Sequence, residues 1–210
     1  MENLNCFEKG LLKYLPSQCF EKLISIKIGI AGCGGIGSNC ASTLVRCGFR
    51  QFLLVDSDRV EASNLNRQFY TDNQVGYLKV EMLQQNLLEI NNKLLIQTCQ
   101  KQINSENIKS ILGPCDVIVE AFDNVSSKKL LTQTFLHTDK LIVTVSGMGG
   151  YGDCDSMMSR QIKDTFFMVG DFTSEVTDRV HPYAPKTKIA AAKQADIIFN
   201  YYMQDCTHCI

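Results

Sequence analysis

The stretch that decides the fold runs from Ile26 to Gly37 and reads IKIGIAGCGGIG. Its first part, Ile26–Gly32, is apolar and closes on a glycine, as a buried strand of a parallel sheet does. The sequence SNCASTLVRCG follows with helical spacing and ends at Gly48. A G-x-G-x-x-G loop between a strand and a helix is typical of backbone that approaches phosphate groups closely. The stretch therefore predicts a Rossmann-like nucleotide-binding unit, with its loop glycines at Gly32, Gly34, Gly35 and Gly37.

Short apolar runs alternate with longer helical patterns along the following chain. The predicted strands are Gln51–Asp56, Leu94–Cys99, Asp116–Ala121 and Leu141–Ser146. The predicted helices are Val75–Ile90, Ser105–Leu112 and Ser126–Leu136. Apolar runs without alternation, separated by helices, indicate an α/β fold with a mostly parallel sheet and helices on both of its faces.

The pattern becomes less regular after Ser146. A glycine-rich turn at Gly147–Gly152 is followed by Met157–Gly170, whose mixed polarity favours short, antiparallel strands. A polar crossing (Asp171–Pro185) then leads to a closing helix, Lys188–Met203. We interpret residues 1–210 as one domain with a partly antiparallel C-terminal third.

Composition excludes several classes of protein. Of 210 residues, 45% are hydrophobic and 20% are charged, which is incompatible with a disordered chain. A net charge of −1 provides no field for holding nucleic acid or an anionic membrane. No apolar run approaches the roughly 18 residues of a spanning helix, and MENLNCFEKGLLKYL lacks the order of a signal peptide. We therefore expect a cytoplasmic protein with neither nucleic acid nor membrane as partner.

The ten cysteines are scattered among apolar neighbours, as buried, reduced thiols are. Cys206 and Cys209 form the one close pair, in the terminal CTHCI. A structural zinc site takes four ligands, and the chain has no second CxxC pair. A reduced tail is therefore favoured over a metal site.

Charged side chains gather where the predicted strands end. Asp56, at the end of the second strand, occupies the place where an acid holds ribose hydroxyls. Arg67 lies in the long loop that follows, and Lys79 lies early in the next helix. A pyrophosphate on a helix end does not need two further cations, whereas a triphosphate under attack does, because charge builds on the leaving group. Solvated surface cations are the alternative.

Asp123 and Asn124 follow the fourth predicted strand, at the same edge of the sheet. A carboxylate there can hold Mg²⁺, which bridges phosphate oxygens and needs few protein ligands. Either residue can also cap the helix that begins near Ser126. Both roles are compatible if Asn124 is the cap and Asp123 serves the metal.

Taken together, GCGGIGS, DSDRVEASNLNRQFY, VGYLKVE and FDN resemble the ThiF/MoeB family of adenylyltransferases, which are related to ubiquitin-activating enzymes. The resemblance covers roughly Lys9 to Met203 and is closest to short ThiF-type proteins of thiamine biosynthesis. It implies a homodimeric enzyme that uses ATP and Mg²⁺. Its substrate would be a small ubiquitin-like sulfur carrier of the ThiS type, whose C-terminal Gly-Gly carboxylate is adenylated with release of pyrophosphate.

The resemblance also assigns roles to residues of this chain. It implies that Arg67, Lys79 and Asp123 are catalytic and that Asp123 holds the metal. The nucleotide would be bound by the four loop glycines and by Asp56, Asp58, Asn64, Arg67, Gln68, Lys79 and Asn124. A carboxylate is already a nucleophile, so the catalyst's task is alignment and charge neutralisation, with no histidine or cysteine base.

The chain departs from the family pattern at several positions. A lysine, Lys128 or Lys129, stands where an arginine usually follows the Asp-Asn pair. The paired CxxC zinc ligands are missing, so zinc is not carried over. The N-terminal arginine that often reaches the partner subunit's ATP is absent, and Lys9 or Lys13 is a candidate substitute. Thr173–Lys188, where many relatives carry a reactive cysteine, has none.

Other functions stay open at this point. Within the same class, one alternative substrate is a molybdopterin-synthase carrier and another is a tRNA-bound carboxylate. The near-neutral net charge of the chain argues against tRNA. An NAD-dependent oxidoreductase explains the glycine loop and Asp56 but leaves Arg67, Lys79 and Asp123 without a task. A catalytically inactive nucleotide-binding module is the third possibility. If a carrier is the substrate, we expect its tail to pass under the Asp171–Pro185 crossing, near the glycine-rich turn.

Overall fold

The centre of the structure, a computed structural model that describes residues 4–204, is a seven-stranded sheet. Its strands are β1 (Lys27–Ala31), β2 (Gln51–Val55), β3 (Leu95–Cys99), β4 (Val117–Glu120), β5 (Leu141–Val145), β6 (Met158–Lys163) and β7 (Phe166–Gly170). They lie in the order β3-β2-β1-β4-β5-β7-β6. Every neighbouring pair is parallel except β6 and β7. The predicted Rossmann-like sheet with an antiparallel C-terminal pair is confirmed.

Helices cover both faces of the sheet. They are α1 (Cys6–Leu11), α2 (Ser17–Ser25), α3 (Gly35–Arg46), α4 (Lys79–Ile90), α5 (Ile108–Leu112), α6 (Val125–Phe135) and α7 (Ala184–Met203). One buried cluster joins α2, α3, α4 and α7 to the sheet through side chains such as Leu44 and Leu83. A second cluster, on the other face, contains Ile108 and Leu112 of α5 and Leu131 of α6.

The order of the strands creates a crevice at one point of the sheet. Strand β1 pairs with β2 on one side and with β4 on the other, so the connections run in opposite directions from it. Ligands of open α/β sheets bind outside the carboxyl ends of the strands at such a point. Gly32, the first residue after β1, has φ +101°, and a Cβ there would lie 2.7 Å from the carbonyl oxygen of Ala121, after β4. The two strand ends therefore meet backbone to backbone.

Two helices begin elsewhere than the sequence pattern predicts. Helix α4 begins at Lys79 instead of Val75, because a 3-10 turn at Asp72–Gln74 and the positive φ of Gly76 interrupt the pattern. Helix α7 begins at Ala184, before the predicted Lys188, with a proline in its first turn. Proline is tolerated in that turn because its missing N–H has no helical partner there.

Helices α1 and α2 are short and were not predicted. Asn5 caps α1 in a reciprocal capping box with Glu8. The fully buried Glu8 carboxylate also pairs with the Arg50 guanidinium, directly before β2. This pairing holds α1 at the amino edge of the sheet, so Lys9 and Lys13, both exposed, lie at the opposite end from the glycine loop of their own chain.

Two expectations from composition concern the whole chain. Within residues 4–204, no helix is long and apolar enough to cross a membrane. The cysteines in that range, from Cys6 to Cys154, form no disulfide with one another. Cys206 and Cys209 lie outside the described residues.

Replacement of Gly37 by alanine should strongly destabilise the fold. A Cβ at Gly37 would lie 1.8 Å from the carbonyl oxygen of Gly32, where backbone meets backbone and no side chain can move aside. We expect Gly37→Ala to lower the free energy of unfolding by about 3 kcal/mol, measured by urea denaturation. Gly10→Ala is the control, since nothing lies within 4 Å of a Cβ there and alanine favours helix α1. An unchanged midpoint for Gly37→Ala would contradict the packing described above.

Candidate active site

The glycine loop is held in place by Asp56. One carboxylate oxygen of Asp56 accepts a hydrogen bond from the Cys33 backbone N–H at 2.7 Å. The other accepts from the backbone N–H of Asp58 at 2.8 Å. Burial raises the pKa of Asp56, although the nearby Lys79 charge and the two N–H donors oppose that shift. Asp56 thus joins the loops after β1 and β2, and a carboxylate retains lone pairs for further donors.

Two polar side chains of helix α3, which the sequence analysis missed, bind the long loop to the glycine loop. The Ser38 hydroxyl accepts from the backbone N–H of Phe69 at 3.0 Å. The Asn39 side-chain amide donates to the carbonyl oxygens of Gly35 at 2.6 Å and Arg67 at 2.8 Å. The local signal for Ser38 and Asn39 is their place in the first turns of α3, directly after the glycines.

The two predicted cations both lie at this edge of the sheet. A Cβ at Gly35 would lie 3.5 Å from Cγ of Arg67, so the arginine stem runs alongside the glycine loop. Burial lowers the pKa of Arg67, whose guanidinium donates to the Ser63 carbonyl oxygen at 3.1 Å. Lys79 is buried at the start of α4, and its ammonium lies 2.9 Å from the Asp58 carboxylate. Lys79 is therefore ion-paired, not freely solvated.

Asn64 and Gln68 have different surroundings. The Asn64 side-chain oxygen accepts from the backbone N–H of Glu61 at 3.1 Å, which shapes the loop itself. The side-chain oxygen of Gln68 is buried and has no hydrogen-bond partner among residues 4–204. The hydroxyl of Thr187, on α7, is in the same state, and its methyl group packs against Gly35. Two unpartnered polar groups at a glycine loop are expected of a site that awaits a polar ligand.

Tyr70 is a further residue that the sequence analysis did not identify. Its hydroxyl lies 2.7 Å from the Cys33 carbonyl oxygen and 3.2 Å from that of Lys79. Burial raises the pKa of Tyr70, so the hydroxyl stays protonated and donates. Tyr70 thus connects the glycine loop to the start of α4.

Asn124 caps helix α6, as the sequence predicts. The Asn124 side chain accepts from the Ser127 backbone N–H at 2.8 Å and so caps α6. Asp123 is exposed and stands two residues beyond Ala121, whose carbonyl oxygen faces Gly32. In the described part of the chain, no group of three or more His, Cys, Asp or Glu side chains is placed to hold a metal ion by itself.

The structure distinguishes the two lysines that follow this pair. The Lys128 ammonium lies 3.0 Å from the carboxylate of Glu120, which is fully buried at the end of β4. Lys129 is exposed. Lys128, whose side chain is 26% exposed, therefore pairs with a buried carboxylate, which the sequence alone did not reveal.

The crossing after β7 packs directly on the glycine-rich turn. A Cβ at Gly147 would lie 2.2 Å from the Asp171 carboxylate, and one at Gly149 would lie 2.3 Å from the Glu175 carbonyl oxygen. The backbone N–H of Gly150 donates to the backbone carbonyl oxygen of His181 at 3.0 Å. The crossing of this chain therefore occupies the space directly against Gly147 and Gly149, in the turn near which we expect a carrier tail to pass.

A buried ion pair fastens the crossing to helix α7. The Lys186 ammonium lies 2.9 Å from the Asp171 carboxylate, and both side chains are more than nine-tenths buried. Burial alone raises the pKa of the Asp171 carboxyl, but hydrogen bonds from Ser174 and Lys186 outweigh it and hold the pKa well below its usual range. Lys186 also donates to the Gly149 carbonyl oxygen at 3.3 Å.

Comparison with known proteins places this arrangement in a family. Residues 9–200 match the model of the ThiF family. The chain belongs to the ThiF family. This confirms the resemblance drawn from GCGGIGS, SNLNRQ and FDN.

Curated relatives in this family are longer proteins. The chain is 35% identical over 128 residues to adenylyltransferase and sulfurtransferase MOCS3 of Anopheles gambiae, a match covering 60% of this chain and 29% of that protein. It is 27% identical over 189 residues to SUMO-activating enzyme subunit 2 of Dictyostelium discoideum, covering 87% of this chain and 28% of that protein. The chain thus spans less than a third of these relatives.

Solved structures share the ThiF-family fold over nearly the whole chain. The E. coli tRNA N6-threonylcarbamoyladenosine dehydratase TcdA, solved in complex with ATP, has a TM-score of 0.86 at 18% identity and covers 96% of each chain. E. coli MccB with ATP has a TM-score of 0.73 at 20% identity, covering 96% of this chain and 64% of that one. These likenesses establish the fold.

The Asp171–Lys186 pair should make stability depend on pH. The pKa of Asp171 is depressed in the folded state, so its contribution is complete above the ordinary aspartate value of 3.8 and is lost as the pH falls below it. We expect Asp171→Asn to cost about 3 kcal/mol at pH 7, because Lys186 is left buried without its counter-charge. In urea denaturation between pH 7 and roughly pH 3, the gap between the two proteins should narrow in acid. Asp178→Asn, an exposed carboxylate of the same crossing, is the control. A gap that stays constant down to the lowest pH would contradict this interpretation.

Proposed function

We propose that this chain is an ATP-dependent adenylyltransferase. Its substrate is the C-terminal Gly-Gly carboxylate of a small ubiquitin-like sulfur carrier. The observation that carries the proposal is the pair of cations, Arg67 and Lys79, at a glycine loop whose neighbours Gln68 and Thr187 have unpartnered polar atoms. Membership of the ThiF family over residues 9–200 supports it.

The proposed reaction is an in-line displacement at the α-phosphorus of ATP. The carrier carboxylate forms a C–O–P bond, the bond to pyrophosphate breaks, and no proton has to be removed from the nucleophile. Negative charge moves to the leaving pyrophosphate, so Arg67 and Lys79 stabilise the transition state more than the ground state. The four loop glycines and the N-terminus of α3 bind the phosphates, and Asp56 binds the ribose.

Asp58, Asn64 and Gln68 complete the proposed nucleotide site. Asp58 orients the Lys79 ammonium through their ion pair of 2.9 Å. Asn64 holds the loop that carries Arg67, and Gln68 offers its unpartnered oxygen. Asn124 acts through its cap on α6, which supports the neighbouring Asp123.

A magnesium ion fits the residues present. Mg²⁺ in nucleotide sites takes one or two carboxylates and completes its shell with phosphates and waters. Asp123 is an exposed carboxylate beside the glycine loop, and the absence of a larger ligand cluster within residues 4–204 agrees with that pattern. When bound, Mg²⁺ would neutralise charge on the phosphate oxygens.

Within this class we propose the ThiS-type carrier of thiazole synthesis as substrate and a homodimer as the working form. The alternatives are a molybdopterin-synthase carrier and a tRNA-bound carboxylate. The curated relatives named for adenylyl transfer and SUMO activation support a protein carrier, as does the net charge of −1, which lacks a basic footprint for tRNA. We place the protein in the cytoplasm.

Substrate-dependent exchange of labelled pyrophosphate into ATP tests this function. ThiS-type and molybdopterin-type carriers, each with its Gly-Gly tail intact and removed, are compared with unfractionated tRNA. Exchange that needs an intact carrier tail is the expected result. Calorimetric titration with Mg²⁺–ATP and with NAD is run in parallel. Tight NAD binding without an ATP response would overturn the proposal, and exchange with tRNA alone would identify the second substrate class.

Variants of the three proposed catalytic residues should abolish or slow this exchange. Arg67→Ala and Lys79→Ala should each cost about 2–4 kcal/mol in transition-state stabilisation. Asp123→Ala should lose exchange yet unfold at the wild-type midpoint, because Asp123 is exposed. Lys101→Ala removes an exposed cation past the end of β3 and serves as the control. Normal exchange in the Asp123 variant would show that the metal is held elsewhere.

We also predict that the reaction on this protein stops at the acyl-adenylate. A receiving cysteine needs an exposed, electropositive position, and Thr173–Lys188 contains no cysteine. Cys154 is half-buried and stands between two acidic residues, Asp153 and Asp155, which is not an electropositive position. Mass spectrometry of enzyme, carrier and ATP under non-reducing conditions should therefore show no covalent adduct. An adduct that disappears on mutation of Cys154, Cys206 or Cys209 would contradict this.

A further inference from the structure

Glu120 is a carboxylate buried where β4 ends, a few residues before the proposed metal ligand. None of its surface is exposed. The Lys128 ammonium lies 3.0 and 3.1 Å from its two carboxylate oxygens. A buried ion pair is stable only when its geometry is good and its remaining lone pairs and protons are satisfied.

The Glu120–Lys128 pair meets that condition with partners from separate elements. The Glu120 carboxylate also accepts from the backbone N–H of Phe122 at 2.8 Å and from the hydroxyl of Thr144, on β5. The Lys128 ammonium also donates to the Val145 carbonyl oxygen at 3.2 Å. The pair therefore connects β4, β5, α6 and the loop between β4 and α6.

Asp123 stands in the middle of that loop. The residue before it, Phe122, is held at its N–H by Glu120. The residue after it, Asn124, is held by its capping bond to Ser127. The Asp123 side chain is exposed between these two attachments. The backbone on either side of Asp123 is thus held by contacts of its neighbours, and the Asp123 carboxylate itself accepts a long hydrogen bond from the Asn124 side-chain amide at 3.5 Å.

The Lys128 ammonium is engaged by Glu120 and by the end of β5. An ammonium has three N–H donors. The two Glu120 oxygens belong to one carboxylate and lie side by side, and the Val145 carbonyl oxygen is a separate acceptor. These contacts point to Glu120 as the group through which Lys128 acts.

We propose that the Glu120–Lys128 pair is a positioning device for Asp123. It holds the backbone at Phe122 so that the Asp123 carboxylate meets the metal–nucleotide complex, and Lys128 acts through its pair with Glu120. The inference rests on the proposed function for the identity of the ligand. The attachment of the loop rests only on the contacts described above.

The test uses variants that avoid an uncompensated buried charge. The double variant Glu120→Gln/Lys128→Met removes both charges at similar volume, which buried pairs tolerate better than single removal. Thr144→Val is the milder second variant, since it removes one donor to Glu120 and leaves both charges. Lys128→Arg tests rescue by a conserved charge, and Lys129→Met, at an exposed neighbour, is the matched control.

Two measurements are made on the full chain. Amide hydrogen exchange of Phe122–Asn124, without nucleotide, reports the attachment of the loop. Calorimetric titration with ATP, in EDTA and over a series of Mg²⁺ concentrations, separates nucleotide affinity from metal affinity. We expect faster exchange in the double variant and in Thr144→Val, with Lys129→Met unchanged. The Mg²⁺ concentration that gives half of the maximal gain in ATP affinity should rise about tenfold in the double variant, as for other residues that orient a metal ligand. Lys128→Arg keeps a cation opposite Glu120, so its Mg²⁺ dependence should stay close to that of the wild-type protein. The affinity for ATP in EDTA should stay at the wild-type value.

The outcomes are distinguishable. An equal loss of ATP affinity with and without Mg²⁺ would overturn the proposal and assign Lys128 to the phosphates. Unchanged exchange and unchanged Mg²⁺ dependence in the folded double variant would also overturn it. If the double variant does not fold, Thr144→Val decides by the same two readouts. If the wild-type protein binds no ATP, the proposed function fails, while hydrogen exchange still tests the attachment.

Discussion

Helix α3 meets β1 with Gly37 against the carbonyl oxygen of Gly32, at a separation that leaves no room for a Cβ. This contact lets the first turn of α3 present its backbone at the point where the strand order reverses. Gly32 in turn faces Ala121 across the same crevice. The loops that carry Arg67 and Asp123 are both built around this backbone contact.

Polar side chains on several elements hold the loops around this contact by hydrogen bonds to their backbone. Asp56 binds the glycine loop from the β2 side, and Ser38 and Asn39 bind the long loop from α3. On the β4 side, the Glu120 carboxylate accepts a hydrogen bond from the Phe122 backbone N–H and so holds the loop that carries Asp123. The charged groups that we propose for ATP binding are therefore supported by carboxylates and amides that hydrogen-bond to backbone. Such support keeps a site in one geometry before its ligand arrives.

Sequence reasoning reached the parts of this fold that are encoded locally. The apolar runs predicted the strands from β1 to β5 within a residue or two. Four of them, β1, β2, β4 and β5, are almost wholly buried, and strands covered on both faces tolerate few polar residues. The start of α4 was misplaced because Val75 has the right polarity but Gly76 has a positive φ, which apolar spacing does not report. Helix α1 was missed although its capping box, Asn5 with Glu8, is a local signal. The pairing of Glu8 with Arg50, which holds α1 against the sheet, spans residues far apart in sequence.

The candidate site shows the same division. The glycine loop, Asp56 and the Asn124 cap follow from local patterns. The pairing of Lys128 with Glu120 does not, since Glu120 appears in the sequence only as an acid at the end of an apolar strand. Which of the two lysines faces Glu120 depends on the rotation of α6 against β4 and β5. Packing in three dimensions determines that rotation.

Helix α7 has one more consequence for the molecule. Lys186 is bound to the crossing through Asp171, and the next residue, Thr187, packs against Gly35 of the glycine loop. Two successive residues of one helical turn thus contact two different segments, the crossing and the glycine loop. The first turn of α7 therefore joins the crossing to the glycine loop through two adjacent residues. The two segments can separate from this turn only if the Asp171–Lys186 pair or the packing of Thr187 on Gly35 is lost.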